Sequence, residues 1–341
     1  MNQNRPLWLV KLVNYEYWPW WAIYLPVLPY MLYQAWRNRS ITYFTAVNPF
    51  IEMSGFFGES KAKMLNCVPD QYKPKTLFFK NNNIENIIQG IDKQNISFPL
   101  IAKPDIGERG TNVAKIANKS ILKDYLNQNQ SAVIIQEYVD FEIELGIFYY
   151  RLPSQPKGQI TSMTLKEFLT VTGNGHDTVE TLMQQSERAR FQIAATRVRL
   201  GDTVMQEILP KNQKRLLEPI GNHCRGTRFI DVNHKITPQL NAVFDKIATQ
   251  IEGFYYGRFD LKVKTWNDLY AGQNIKIMEL NGVAAEPAHI YDSDHKLLEA
   301  YKQVAKHWRI MADIAIEQNQ RGIRPVSFAK TWATTKQHLG S

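Results

Sequence analysis

Along residues 142–150 apolar and polar positions alternate: Ile143, Leu145 and Ile147 point one way, the acids Glu142 and Glu144 the other. A period of two predicts a strand. The same period runs through residues 257–263, where Arg258 and Asp260 share a face, and through 275–281, where Glu279 and Asn281 do. Shorter apolar runs predict strands at 41–47, 76–79, 98–103, 112–116, 132–135 and 158–164. A helical period predicts a helix opened by Thr237 and Pro238, with Leu240, Val243, Phe244, Ile247 and Ile251 on its apolar stripe and Gly253 at its end. A last helix over 294–318 carries Leu297, Tyr301, Val304, Trp308 and Met311 at core spacing. Further helices are expected at 59–66, at 84–94, at 120–128 with Ser120 as N-cap, from Asp177 with Glu180 in capping-box position, and over 186–199. The polar segment 265–273 reads as a turn that lets its flanking strands pair as a hairpin.

Charge narrows the partners. The chain has 341 residues, enough for one to three domains, and its 44% hydrophobic content is that of a globular protein. Lys and Arg number 41 against 32 Asp and Glu, a formal charge of +9. That favours an anionic partner: a nucleotide, a phosphorylated substrate or an anionic lipid surface. No dense basic run interleaved with aromatics is present, so nucleic acid is not expected. The two cysteines, Cys67 and Cys224, lie far apart and fit a reducing compartment without metal-ligand spacing.

The amino-terminal end stands apart. Residues 18–36 carry no charge and hold four tryptophans and three tyrosines, a length sufficient to cross a bilayer. Pro19, Pro26 and Pro29 interrupt the run, and Trp and Tyr favour the membrane interface over its centre. Arg5, Lys11, Arg37 and Arg39 flank it against one acid, Glu16, and no small-residue cleavage site marks a secretory signal. Three readings stay open: a helical hairpin on or in the cytoplasmic leaflet, an apolar arm packed on the body or a partner, and a true span.

The chemistry concentrates in two places. In the 257–281 hairpin, two carboxylates and an amide oxygen (Asp260, Glu279, Asn281) converge beside Arg258, a donor set suited to a hard cation that shares its ligands with phosphates. The alternative is two edge strands with solvated faces. Earlier, Lys103 ends an apolar strand and is followed by Asp105-Ile106-Gly107-Glu108-Arg109-Gly110-Thr111. A lysine beside such a loop can hold phosphate, because backbone N–H groups approach closely at glycine. It is not a Walker-type loop, since no Gly-Lys-Ser/Thr follows.

Taken in order, the strand, lysine and glycine loop, the apolar strand into Gln136-Glu137-Tyr138-Val139, the acid on the next strand, and then Asp260, Glu279 and Asn281 form a series that resembles the ATP-grasp superfamily over residues 61–322. The resemblance implies an α+β ATP-grasp fold, two lobes clamping a nucleotide. It divides the chain into an aromatic, apolar helical arm (1–39), a reduced pre-ATP-grasp region (40–75), an N-lobe with the glycine lid (76–135), a C-lobe with the metal and substrate site (136–325) and a tail (326–341). It assigns Lys103 and Lys61 to the α/β phosphates, and Gly107, Gly110 and Thr111 to a mobile lid. Gln136, Glu137, Tyr138 and Val139 would line the adenine site, and Glu144, or alternatively Glu142, would hold the ribose. Asp260, Glu279 and Asn281 would bind one or two magnesium ions, and Arg258 would face the oxyanion of a tetrahedral intermediate. His223, Arg225 and Arg228 would contact the γ-phosphate or acyl phosphate; an ordinary surface loop with a salt bridge to Asp231 is the alternative.

The implied reaction is ATP- and magnesium-dependent activation of a small-molecule carboxylate as an acyl phosphate and its coupling to an amine, in a bacterial cytoplasm, peripheral to the inner membrane through residues 1–39. A kinase or an inactive nucleotide-binding module at the membrane are the alternatives, and a homodimer is allowed. The chain looks most like ligases that join two D-alanines. It departs from them after Asn281: residues 282–292 read Gly-Val-Ala-Ala-Glu-Pro-Ala-His-Ile-Tyr-Asp, where those ligases carry Pro-Gly-Met and then His-Ser. Glu286 could hold an ammonium group there, and His289 or Tyr291 a polar substrate.

Overall fold

The computed structural model describes residues 5–56, 60–107, 111–129 and 131–339. Gly110 lies outside the described residues, as do Glu59, Glu108 and Arg109.

Strands β1 (Thr76–Phe79), β2 (Leu100–Pro104), β3 (Ala114–Ile116) and β4 (Val133–Glu137) make an antiparallel sheet in the order β1-β4-β2-β3. Helices Ile84–Lys93 and Lys119–Gln128 bury Ile87, Ile91, Leu122 and Leu126 against Leu100, Ala102 and Ile135 of that sheet. Their Asn83 and Asn118 caps each accept a backbone N–H of the first turn. Asn118 therefore takes the capping place expected of Ser120.

The second lobe is built on β5 (Ile143–Tyr150), β6 (Gln159–Glu167), β9 (Arg228–Asp231), β10 (Tyr256–Val263) and β11 (Ile275–Asn281), ordered β11-β10-β5-β6-β9 and antiparallel throughout. Between β6 and β9, β7 (Thr170–Thr172) and β8 (Lys214–Leu216) form a separate pair. The alternation of β5, β10 and β11 sorts the large sheet into two faces. Leu145, Ile147, Phe259, Leu261 and Ile277 meet Leu240, Phe244 and Ile247 of helix Pro238–Ala248. The opposite face is polar at one end. At the other, Phe148 and Tyr256 are covered by Ile310, Met311 and Ile314 of helix Leu297–Gln320.

Several local expectations are corrected. Residues 41–47 are not a strand: Tyr43–Ala46 is a 3-10 turn buried in the same cluster as Met311 and Ile314, and burial on all sides leaves a short apolar run without a diagnostic period. The described part of 40–75 contains no strand, only short helical segments. The segment joining β10 to β11 holds a helix, Trp266–Ala271, because the Thr265 hydroxyl caps the Asp268 N–H and Gly272 closes the end at φ 68°. Thr178, not Asp177, caps helix Val179–Gln184; Asp177 instead accepts from Asn174 and Gln185. The helix expected over 186–199 is two, Glu187–Arg190 and Ile193–Leu200.

The arm is three short helices, Leu7–Val13, Trp20–Tyr24 and Leu28–Arg37. Among the described residues no helix is long and apolar enough to cross a membrane. Tyr15, Ile23 and Val27 pack on Ile290, Ala300 and Val304, so the arm lies on the body.

Candidate active site

The polar end of the large sheet is organised by cross-strand register. One row runs Thr164, Gly146, Asp260, Glu279 across β6, β5, β10 and β11; the next runs Ser162, Phe148, Arg258, Asn281. Between Asp260 and Leu261 the β10–β11 register shifts, Asp260 facing Glu279 and Leu261 facing Ile277. Met278 is thereby left without a facing residue, the signature of a bulge. Its carbonyl accepts the Lys103 ammonium at 3.2 Å, so the bulge is where the first lobe touches the second. Gly146 makes room beneath the acid: a Cβ there would lie 3.3 Å from Asp260 Oδ1 and 3.4 Å from Arg258 Cδ.

Asp260 sits in a nest of donors. Arg258 grips it with Nε on Oδ1 and Nη2 on Oδ2, both at 3.0 Å. Asn281 Nδ2 donates to Oδ2 at 3.0 Å, and Lys166 Nζ stands 3.5 Å from Oδ1 and 3.1 Å from Glu144 Oε1. Burial alone would raise the Asp260 pKa; the Arg258 and Lys166 charges outweigh it and hold the carboxyl below its usual range. Burial likewise works against the charged form of Lys166, and Asp260 and Glu144 reverse the sign. The remaining Arg258 nitrogen, Nη1, donates to the Glu286 carbonyl at 2.9 Å.

Two lysines approach this group: Lys103 from the facing lobe, and Lys61 from helix Lys61–Asn66, whose Met64 and Leu65 are buried in the core of the large sheet. Lys103 is buried, donates also to Gln136 Oε1 at 3.2 Å, and has its pKa lowered, first by burial and then by Lys61, against the pull of Glu279 and Asp260. Lys61 donates to the Gly107 carbonyl and stands 3.7 Å from Glu279 Oε1. Gln136 uses its side chain to steady Lys103 and, through Nε2, Thr76 Oγ1 at 3.0 Å. Glu137 N–H is paired with Lys75 O, and the Val139 carbonyl accepts Lys262 Nζ at 3.2 Å. Two ammonium groups stand over the Tyr138 ring, Lys115 at 3.7 Å and Lys262 at 5.4 Å from its centroid. Among the described residues no hydrogen bond or ion pair ties Thr111 to this group.

The loop 221–228 is divided. A Cβ at Gly221 would come 2.3 Å from Glu144 Oε1, so the loop begins hard against the acid expected to hold a ribose. His223 Nε2 then meets Glu16 Oε2 of the arm at 3.1 Å, and Arg188 pairs with the same carboxylate. Burial opposes the ionised Glu16, but His223 and Arg188 keep its pKa low. Arg225 stands 3.5 Å from Glu218, and Arg228 pairs with Asp294 at 3.2 Å. Among the described residues neither is bonded to the Asp231 carboxylate, which takes His295 at 2.9 Å and the Asn233 backbone N–H and side-chain amide. Among the described residues no hydrogen bond or ion pair ties Arg225 or Arg228 to the Arg258–Asp260 group.

Downstream, Glu286 accepts the Tyr24 hydroxyl of the arm at 2.5 Å and the Tyr291 hydroxyl at 2.7 Å. His289 is 1% exposed, with Nδ1 on Ser162 Oγ at 2.6 Å, so it is set into the sheet rather than offered to solvent. Burial pushes its pKa down to about 4 and that of its neighbour His307 to about 3. Asp231 and Asp292 pull the His289 value the other way and lose. Between about pH 4 and 6.5 the unfolded His289 binds a proton that the folded one does not, so stability rises with pH across that window and falls as acid is added. Urea midpoints from pH 4 to 7 are expected to show this slope in the wild type and a shallower one in His289→Gln. Equal slopes would remove His289 as its source.

The donor chemistry suits magnesium. With Asn281 Nδ2 committed to Asp260, its Oδ1 is the free end, and it shares a strand face with the part-exposed Glu279 carboxylate. Asp260, Glu279 and Asn281 would hold the ion and leave the rest of its shell to phosphate and water. Among the described residues no group of three or more His, Cys, Asp or Glu side chains is arranged for a metal.

The sequence pattern did not point to Lys166, Lys262, Glu16 or Tyr24. Lys166 had a signal, since Ser162, Thr164 and Lys166 continue the period of β6 past its expected end. Glu16 and Tyr24 had none, because they reach the site only through tertiary docking of the arm.

No family model and no curated protein matches this sequence. Solved structures do. The chain is similar to the D-Ala:D-Ser ligase VanG of Enterococcus faecalis (14% identity, TM-score 0.43, 75% of this chain and 61% of that one). It is also similar to a bifunctional glutathione synthetase of Pasteurella multocida (13%, 0.38, 76% and 38%) and to the D-alanine–D-alanine ligase of Bacillus anthracis (14%, 0.41, 77% and 67%). The chain thus spans about three fifths of the first and under two fifths of the second. Likeness this loose decides nothing about substrate. What the chain itself shows is two antiparallel sheets, of four and five strands, with Lys103 reaching from the first to the second.

Proposed function

We propose that the protein is an ATP- and magnesium-dependent ligase that activates a carboxylate as an acyl phosphate and couples it to an amine. One observation supports this above the rest: Lys103 of the small lobe reaches the bulge carbonyl of Met278, and so meets the hairpin that carries Asp260, Glu279 and Asn281, where Lys61 already stands beside Glu279. In this reading the substrate carboxylate attacks the γ-phosphorus and ADP leaves. The amine, as its free base, then attacks the acyl carbon; phosphate leaves with the acyl C–O bonding pair and takes up the proton released from nitrogen. Lys61 and Lys103 neutralise phosphate oxygens, and Arg258, fixed by Asp260, donates to the oxyanion. Magnesium, when bound, screens charge on the transferring group. Glu286, oriented by two phenols, receives the ammonium of the amine substrate. Glu144 and the Tyr138–Val139 segment take the nucleoside. Gly107 and Thr111 belong to the lid. His223 is assigned to anion binding at the mouth, with Arg225 and Arg228 behind it. The protein works on the cytoplasmic face of a membrane.

An ADP-release screen of the full chain, pairing carboxylates (amino acids, short peptides, acylated compounds) with and without amines, tests the reading. Amine-dependent ADP release with amide product supports it. A phosphorylated product that accumulates without an amine identifies a kinase instead. Failure to bind ATP in the presence of magnesium by calorimetry overturns both.

A further inference from the structure

We propose that the outer face of the amino-terminal arm is a docking surface for an anionic lipid bilayer. The arm has two unlike sides. Tyr15, Ile23 and Val27 are buried against the body, whereas Trp8, Trp20, Trp21, Leu25, Leu32 and Trp36 are 56–74% exposed. Large apolar side chains concentrated on one exposed element mark an interaction surface. The tryptophans suit the headgroup region of a bilayer rather than its hydrocarbon centre. The helices that carry them are too short to cross, so they would lie in the interface plane.

Charge chooses the occupant. The one acid of the arm, Glu16, is buried and paired with Arg188 and His223, and Arg37 is paired with Asp313. The charges left exposed on the arm are Arg5, Lys11 and Arg39, all positive. The carboxy-terminal helix Phe328–Leu339 extends the same character. Phe328 and Trp332 are exposed and stacked, Lys330 is exposed, and the chain entering the helix is tied by Val326 to Thr42 and Thr45, beside the arm's end. A second copy of the chain would cover an apolar face but would set these like charges against one another; an anionic bilayer answers both the aromatic residues and the charge. The inner side of the arm also holds Glu286 through Tyr24 and His223 through Glu16. In a docked protein the arm therefore lies between those groups and the lipid, so an amphiphilic substrate would reach them past the arm. That corollary rests on the ligase reading; the docking does not.

Co-sedimentation of the full chain with vesicles of phosphatidylcholine alone, or mixed with phosphatidylglycerol, tests the proposal without nucleotide. Partition is expected to be at least about tenfold stronger on the anionic vesicles and to weaken with salt. The variant Trp20→Ser/Trp21→Ser/Leu25→Ser/Trp36→Ser should lose it, with circular dichroism unchanged, and Arg5→Glu/Lys11→Glu/Arg39→Glu should erase the preference for anionic lipid. Absence of wild-type binding to either vesicle, or retention of binding in the apolar variant, overturns it. So does a wild-type dimer by light scattering that the same apolar variant converts to monomer.

Discussion

Replacing Glu279 by Gln is expected to lower magnesium-dependent ADP release by on the order of a hundredfold or more, the scale for removing one preorganised electrostatic contact to a transferring group. The fold should tolerate the change. Glu279 is a third exposed at its side chain, and its ion-pair partner, Lys61, stands at 3.7 Å. Part-exposed pairs of that length contribute at most about 1 kcal/mol, so the melting temperature should move by about 1–2 °C. The loss should be partly recovered by raising magnesium, because Asp260 and the Asn281 oxygen remain. A variant with wild-type turnover at limiting magnesium would place the metal elsewhere. A variant inactive because it unfolds would be recognised by its melting curve.

The reason Glu279 could be singled out from sequence is that period two is a local property. Glu279 and Asn281 share a face whatever the strand pairs with, and so do Arg258 and Asp260. Their convergence needed only one hairpin-like neighbour relation, and β10–β11 provides it even though a helix occupies the supposed turn. What lay beyond reach depends on distant pairing. Lys166 joins Asp260 because β6 is two strands from β10, a sheet order that alternation does not encode. The bulge at Met278 gives Lys103 its second-lobe contact, and nothing in an apolar strand announces it. The His223–Glu16 contact spans 207 positions. The aromatic arm itself was conspicuous, but an exposed amphipathic arm and one docked at a site share the same composition. Docking is written in single residues, Glu16 and Tyr24, whose partners lie in the other half of the chain. Residues 41–47 failed for a different reason: fully buried short segments lose the polar–apolar contrast from which period is read.

Asp260→Asn should behave quite unlike Glu279→Gln, because here the acid is structural as well as chemical. Asp260 is 6% exposed and neutralises Arg258 directly, with Lys166 3.5 Å away. The asparagine keeps the shape but leaves a buried guanidinium with only the charges of Glu279 and Glu286 near it, and an ammonium with Glu144. Breaking one side of a buried pair costs about 3–5 kcal/mol, so the melting temperature should fall by about 5 °C in a chain of this size, together with loss of turnover. The pH dependence has a definite sign. With the folded pKa held below the ordinary 3.8, the carboxylate's contribution is complete above that value and is lost as pH falls through the folded pKa. Asp260→Asn should lack that segment of acid sensitivity while being less stable at neutral pH. The double variant Arg258→Met/Asp260→Asn removes the stranded guanidinium, and it should regain much of the lost stability while remaining inactive. If Asp260→Asn melts with the wild type, or the double variant is less stable than the single by the full cost of Arg258→Met alone, the two residues are not coupled. The site would then have to be held together by Lys166 and Glu144.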